Sequence, residues 1–241
     1  MSVLSLTNLK KSFRKVDAVK GLSFDIQPGE FVGLIGPNGA GKSTTMNCIC
    51  GRILPDAGEI KVDGVDIWKD PIAGRKSVGF VPQILDLPAF LTAEEYLHFI
   101  SDLRETPASE RTEIDELLVL TELDKDRHRI IKEFSGGMLR KIAICGALIG
   151  SPKLLILDES FVGLDPESTF RIRQRLSNYC EKGGAIILSS HILDMLQNVC
   201  SRVVMIVDGE LLFDETMEAT LGRLEGQDLT AVYLDGVGKL S

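Results

Sequence analysis

No stretch of the 241-residue chain approaches the roughly 18–20 consecutive apolar residues needed to cross a bilayer. Its opening residues, Met1-Ser2-Val3-Leu4-Ser5, lack a signal-peptide pattern and run directly into a strand-like segment. A cytoplasmic protein is therefore expected. A basic balance is also missing, because 27 Lys and Arg face 35 Asp and Glu, for a net charge of −8. A protein that grips nucleic acid by its phosphates is normally basic, so no nucleic-acid partner is expected. The local group Lys10, Lys11, Arg14, Lys15 and Lys20 reads as a solvated face, although a nearby nucleotide could use its charge. The five cysteines are odd in number and sit mostly among apolar residues, which suits reduced, buried thiols. Cys48-Ile49-Cys50 lacks the two-residue gap of most zinc pairs and has no partner pair, so no metal is expected there. There is no internal repeat and no low-complexity segment.

What is present is concentrated in nine residues, Gly36-Pro37-Asn38-Gly39-Ala40-Gly41-Lys42-Ser43-Thr44. They fit the phosphate-loop pattern G-x-x-x-x-G-K-[ST]. The apolar run Phe31-Val32-Gly33-Leu34-Ile35 leads in as a buried strand, and Thr44 to Cys50 can be helical, stopping at Gly51. Without Cβ atoms, Gly36, Gly39 and Gly41 let successive N–H groups converge on one hollow. The helix start adds unpaired N–H groups and the positive end of its dipole. Lys42 adds a charge for the β- and γ-phosphates, and the Ser43 hydroxyl suits Mg²⁺.

In chain order, residues 3–9 and 19–26 read as strands, with alternation in Leu22-Ser23-Phe24-Asp25-Ile26. Pro28-Gly29 is a turn, and Gly58 to Gly64 reads as a strand entering an Asp-Gly hairpin. Ser77 to Val81 is a short strand, followed by Pro82 and Gln83. From Leu91 the apolar spacing becomes helical, with Thr92 and Ser109 as N-caps, so residues 84–150 read as a helical lobe inserted into an α/β core. Ser135 is placed as the N-cap of a helix that runs to about Gly150. The strand Lys153 to Leu157 ends on Asp158-Glu159, where α/β sheets bind ligands. A helix from about Glu167 to Glu181, a strand Ala185–Ser189 leading to His191, and a hairpin across Asp208-Gly209 complete the core. In the tail, Ala231-Val232-Tyr233-Leu234 reads as a short edge strand. His98 and His128 read as structural.

Together these pieces resemble the ATPase subunit of an ABC transporter. The resemblance spans about residues 3–222 and rests on six motifs in the family's order: 36–44, Gln83, Ser135-Gly136-Gly137, Asp158-Glu159, Gly163-Leu164-Asp165 and His191. It implies an α/β fold of the P-loop NTPase kind, with a mixed β-sheet core, an antiparallel β flank and the helical lobe. It implies one ATPase domain over 1–225, with core 1–83 and 151–225, lobe 84–150, and a tail 226–241. It also implies ATP and Mg²⁺, and roles for named residues. Asp158, with Ser43 and Gln83, would hold Mg²⁺; Glu159 would be the catalytic base; His191 would contact the γ-phosphate; Gln83 would sense both. Phe13 would stack on adenine beside Val19. Asp165 would lie near the nucleotide. Ser135-Gly136-Gly137 makes a second anion site at a helix start, and the family uses it across a head-to-tail dimer. The partners implied are thus a second ATPase subunit, identical or not, and a separate integral membrane permease. The protein would sit on the cytoplasmic face of the membrane through that permease, docking by an apolar groove near Phe90, Leu91 and Tyr96, residues that could equally form the core of the lobe.

Three positions depart from the family pattern. Met138 stands where Gln is usual, Ser160 replaces Pro after the catalytic Glu, and Gly146 occupies a common Arg position. The phrase Leu91-Thr92-Ala93-Glu94-Glu95-Tyr96-Leu97 resembles exporters of the ABC type-2 class. Two alternatives stay open. A soluble ABC ATPase acting on ribosomes or DNA usually has two ATPase domains or a long coiled-coil insertion. An unrelated phosphate-loop GTPase or kinase would leave Ser135-Gly136-Gly137 and His191 unexplained.

Overall fold

The computed structural model of the chain describes residues 1–107, 112–222 and 228–238. Strands β1 (Leu4–Phe13) and β2 (Val16–Ile26) form a long antiparallel hairpin. β3 (Phe31–Ile35) leads through the glycine loop into α1 (Lys42–Ile49), and β4 (Ala57–Val62) turns back on β5 (Val65–Asp66). Next come α2 (Pro71–Lys76) and β6 (Val78–Val81), then the helices α3 (Ala93–Leu103), α4 (Thr112–Leu120) and α5 (Gly136–Leu148). The chain returns to the sheet with β7 (Leu154–Asp158), α6 (Pro166–Glu181), β8 (Ala185–Ser189) and α7 (Leu193–Val199). β9 (Arg202–Val207), β10 (Glu210–Thr216), α8 (Met217–Gly222) and α9 (Leu229–Gly238) follow.

Two sheets result. One is an antiparallel flank in the order β2-β1-β4-β5; the other is six-stranded, β10-β9-β3-β8-β7-β6, parallel except for its β9–β10 edge hairpin. The central strands are buried on both faces, and alternate side chains enter two different cores. Leu154, Ile156, Ala185, Ile187, Val204 and Ile206 pack toward the antiparallel flank and α1. Leu155, Leu157, Ile186, Leu188, Val203 and Met205 pack toward α5, α6 and the lobe helices. The parallel order puts the C-terminal ends of β3, β8, β7 and β6 side by side. The glycine loop, His191, Asp158-Glu159 and Gln83 follow those four ends.

The helical lobe has caps the sequence specifies. Thr92 forms a capping box with Glu95, the hydroxyl accepting from Glu95 N–H at 3.2 Å while Glu95 accepts from Thr92 N–H at 2.9 Å. Ser135 caps α5 by accepting from Met138 N–H at 3.3 Å. The expected Ser109 cap and the 225/226 boundary lie outside the described residues.

The structure corrects several expectations. Ala231–Leu234 is not an edge strand; it lies within α9. Four apolar residues cannot set a period, and burial of Leu229, Val232 and Gly236 on one helix face decides the matter. A Cβ on Gly236 would lie 2.8 Å from Met205 Cε, so the glycine lets that helix settle close to β9. Of the two readings of the Phe90, Leu91 and Tyr96 group, Tyr96 takes the lobe-core one and is buried, whereas Phe90 is 78% exposed. The first two strands reach much further than expected, to a turn at Arg14-Lys15, because that stretch is polar and its alternation is hidden. Helices α2, α7 and α8 carry too few residues for a helical apolar period to show; α2 nonetheless opens on Asp70, which accepts from Ala73 N–H, followed by Pro71.

Candidate active site

The glycine loop folds as its residue types require. Gly36 and Gly41 have φ of 149° and 103°, and a Cβ would lie 2.0 Å from Ile206 O or 2.4 Å from Ala18 O respectively. Backbone thus approaches backbone where no side chain fits. A cavity of about 220 Å³ lies over the loop, lined by Asn38 to Thr44 together with Gln83, Asp158, Glu159 and His191. The expected Lys42, Ser43, Asp158, Glu159, Gln83 and His191 therefore meet in one place.

Lys42 is buried, and its ammonium donates to the carbonyls of Gly36 at 2.6 Å and Pro37 at 3.0 Å. Desolvation lowers its pKa, and the nearby Glu159 and Asp158 oppose that shift. The acids are held by a residue that was not singled out from the sequence. Ser189, fully buried, donates its hydroxyl to Asp158 Oδ1 at 2.5 Å and accepts from Glu159 N–H at 3.2 Å. Glu159 has φ of 49°, a left-handed value that a side chain rarely adopts. The turn brings its carboxylate to His191, with Nε2 3.3 Å from Oε1 and the His191 N–H 3.3 Å from Oε2. The imidazole is otherwise exposed.

A second missed residue is Arg140 on α5. Its guanidinium donates to Pro82 O at 3.1 Å and to Gln83 O at 3.2 and 3.3 Å, tying the lobe to the Gln83 segment. Burial lowers its pKa, and Glu159 and Asp158 oppose this. The only sequence signal for it is a long cation on the helix that Ser135 opens.

Other expected site residues lie apart from the cavity. Ser135 and Gly136 are exposed at the start of α5. A Cβ on Gly136 would meet nothing within 4 Å, so this chain's own packing does not demand glycine there. Asp165 is not a cavity residue; its carboxylate caps α6, accepting from Ser168 N–H at 2.8 Å and Ser168 Oγ at 2.6 Å, with Lys141 Nζ 3.3 Å away. Those contacts hold it well below the usual carboxylate range, Ser168 foremost. Phe13, 45% exposed, closes the β1–β2 hairpin, and Val19 is buried beside Gly41.

The three departures have local explanations. Met138 packs on the apolar core. A Cβ on Gly146 would lie 2.8 Å from Tyr96 Oη, so glycine makes room for that ring. Ser160 is fully buried, with its hydroxyl within 3.5 Å of Val81 O and 3.4 Å of Asp158 O. All five thiols are buried and free; burial pushes Cys145 up to about 12 and Cys48 to about 11, which makes them poor nucleophiles and metal ligands.

Comparison with known proteins agrees with this geometry. The ABC transporter family model matches residues 19–162, more than half of the chain. The linearmycin resistance ATP-binding protein LnrL of Bacillus subtilis is 38% identical, over 98% of this chain and 76% of that protein. The lipopolysaccharide export system ATP-binding protein LptB of Haemophilus influenzae is 32% identical over the full length of both. Among solved structures, an ATP-binding subunit of an ABC transporter superposes with a TM-score of 0.94 at 29% identity, covering 98% of this chain and all of the other. A dimeric ATP-binding cassette in a post-hydrolysis state with ADP and Pi superposes with a TM-score of 0.81 at 27% identity, over 89% and 98%. The glycine loop, the paired acids and these similarities lead to one conclusion: the chain belongs to the ABC transporter family, as an ATP-binding and ATP-hydrolysing subunit.

Proposed function

We propose that the protein hydrolyses ATP in a site shared by two copies of the chain and thereby powers a separate membrane permease, as an exporter subunit. The observation that carries the shared site is the position of Ser135 and Gly136. They form the exposed, glycine-bare start of a 13-residue helix, an anion-binding end that lies outside the chain's own phosphate cavity. One chain carries both halves, so two copies supply two complete sites. In each, the loop 36–44 of one copy holds the phosphates and the other copy's Ser135-Gly136-Gly137 closes over them. Asp165, at the start of α6, belongs to the same facing surface, and Phe13 with Val19 holds the base.

The cavity donors are hard oxygens, the Ser43 hydroxyl, the Asp158 carboxylate and the Gln83 amide, and that set fits Mg²⁺. Bound Mg²⁺ supplies charge neutralisation on the phosphates. The chain's residues do the rest. Glu159 orients a water and accepts its proton as the oxygen bonds to the γ-phosphorus, while the bond to ADP breaks. His191, beside Glu159, holds the γ-phosphate and the water in line. Lys42 exchanges its carbonyl partners for phosphate oxygens.

Loss of the γ-phosphate removes the bridge between copies and reopens the pair. Arg140 joins that motion to the lobe, taken as residues 84–150 against a core of 1–83 and 151–225, with a tail from 226. The lobe is the surface for the permease, and the protein works on the cytoplasmic side of the membrane. Among the described residues, no helix is long and apolar enough to cross one. The exporter reading draws on relatives named for linearmycin resistance, Nod factor export and lipopolysaccharide export.

Affinity capture from detergent-solubilised membranes tests the partner. A multispan membrane protein is expected; recovery of ribosomes or DNA in its place overturns the transport reading.

A further inference from the structure

The basic group near the N-terminus is not uniform. Lys10, Arg14, Lys15 and Lys20 are exposed, but the Lys11 side chain is only 15% exposed. Its ammonium lies 5.4 Å from the centroid of the Phe13 ring and 2.9 Å from Asp56 Oδ1. Asp56 is fixed in turn, accepting from Ser12 N–H at 2.6 Å and donating its own N–H to Lys10 O at 2.8 Å. Asp56 lies in the connection between α1, the helix of the phosphate loop, and β4. Both charges of the Lys11–Asp56 pair reach the Cys48 thiol on α1. Lys11 is paired across the hairpin with Val19, which lies beside Gly41. A half-exposed ring at a hairpin tip is thus backed on one face by a cation that is pinned to the segment following the phosphate-loop helix.

We infer that Lys11 is a positioning residue for the nucleotide base: held by Asp56, it fixes the Phe13 ring in the orientation that stacks on adenine. This rests on the reading of Phe13 as the base-stacking residue. A ring held on one face by a cation presents its other face without paying to order itself on binding. The pair therefore ties the base-binding end of the site to its phosphate-binding end.

The test compares Lys11→Gln, Asp56→Asn, Phe13→Ala and the double variant Phe13→Ala/Lys11→Gln in steady-state ATP hydrolysis. Binding of inorganic tripolyphosphate with Mg²⁺, which has no base, is measured beside it. Asp56→Asn keeps an acceptor for Ser12 N–H but loses the charge, so it guards against a folding defect. Lys11→Gln and Asp56→Asn should each raise KM for ATP about three- to tenfold, with kcat and tripolyphosphate affinity little changed. Lys11→Arg should restore KM, and Lys11→Gln should add nothing once Phe13 is Ala. If Phe13→Ala raises KM while Lys11→Gln does not, the positioning role is wrong and stacking stands. If Phe13→Ala leaves KM unchanged, stacking itself fails and the inference falls with it. Weaker tripolyphosphate binding in Lys11→Gln would mean direct phosphate contact, which also overturns it.

Discussion

Ser189→Ala isolates the contact on which the two acids depend. The hydroxyl is fully buried, donates to the buried Asp158 carboxylate at 2.5 Å, and accepts from Glu159 N–H at 3.2 Å. A hydrogen bond to a charged group is worth about 1.5–3 kcal/mol. Glu159 N–H keeps a second acceptor, Ser189 O at 3.2 Å, so most of the cost falls on Asp158. Loss of 1.5–3 kcal/mol should lower Tm by about 3–12 °C in a chain of this size. With a urea slope of about 3 kcal/mol/M, the midpoint moves by about 0.5–1 M. The same change loosens the Asp158 carboxylate in the cavity, so kcat should fall about tenfold or more, since 1.36 kcal/mol is a factor of ten. Urea unfolding followed by circular dichroism measures the stability term, and a double-mutant cycle with Asp158→Ala assigns it. In the Asp158→Ala background, Ser189→Ala should cost almost nothing. A single variant within about 0.5 kcal/mol of the parent, or equal costs in both backgrounds, refutes the reasoning.

Three further outcomes follow from other contacts. Gly41→Ala puts a Cβ 2.4 Å from Ala18 O at a φ of 103°, and should cost about 1–3 kcal/mol with loss of nucleotide binding; calorimetry showing an unchanged ATP affinity would contradict the loop geometry. Asp165→Ala removes the α6 N-cap and should cost about 0.5–2 kcal/mol at neutral pH. The native carboxyl is depressed, so this contribution is fully present above about pH 4 and disappears as pH falls through the native value; melting curves of both proteins should converge in acid, and a gap that persists at the lowest pH counts against it. Arg140→Met removes the bonds to Pro82 and Gln83 carbonyls and should lower kcat about five- to thirtyfold with KM for ATP nearly unchanged; a rise in KM alone would place Arg140 at the nucleotide instead.

The parts of the site legible in the sequence are those where chemistry dictates residue type. Gly36 and Gly41 meet carbonyl oxygens that exclude any side chain, and Asp158-Glu159 ends a strand with no polar residue among Leu154-Leu155-Ile156-Leu157. The buried central strands were readable for the same reason, since sheets covered on both faces demand unbroken apolar runs. Ser189 and Arg140 were not legible. Their partners lie 31 and 57 residues away, and only the adjacency of β7 with β8, and of α5 with the Gln83 segment, brings them together. A serine at a strand end and an arginine on a helix look ordinary until those neighbours are placed. The tail is ambiguous in the sequence because Ala231-Val232-Tyr233-Leu234 satisfies either period, and only the packing of Gly236 against Met205 and Leu212 of the edge hairpin settles its helix. Gly146 was legible only as a departure; the buried Tyr96 ring supplies its reason.

The central claim is that the phosphate cavity is completed by a second copy of the chain, and mixing two inactive variants tests it most directly. Lys42→Ala disables the loop, and Ser135→Arg disables the exposed helix start. Each alone leaves no complete site in a pair, but every mixed pair contains one intact site. The account predicts that ATP hydrolysis, near zero for either variant by itself, returns on mixing to a substantial fraction of the parent rate. Activity that never exceeds the sum of the separate variants at any ratio, with pairing verified by cross-linking, would contradict it.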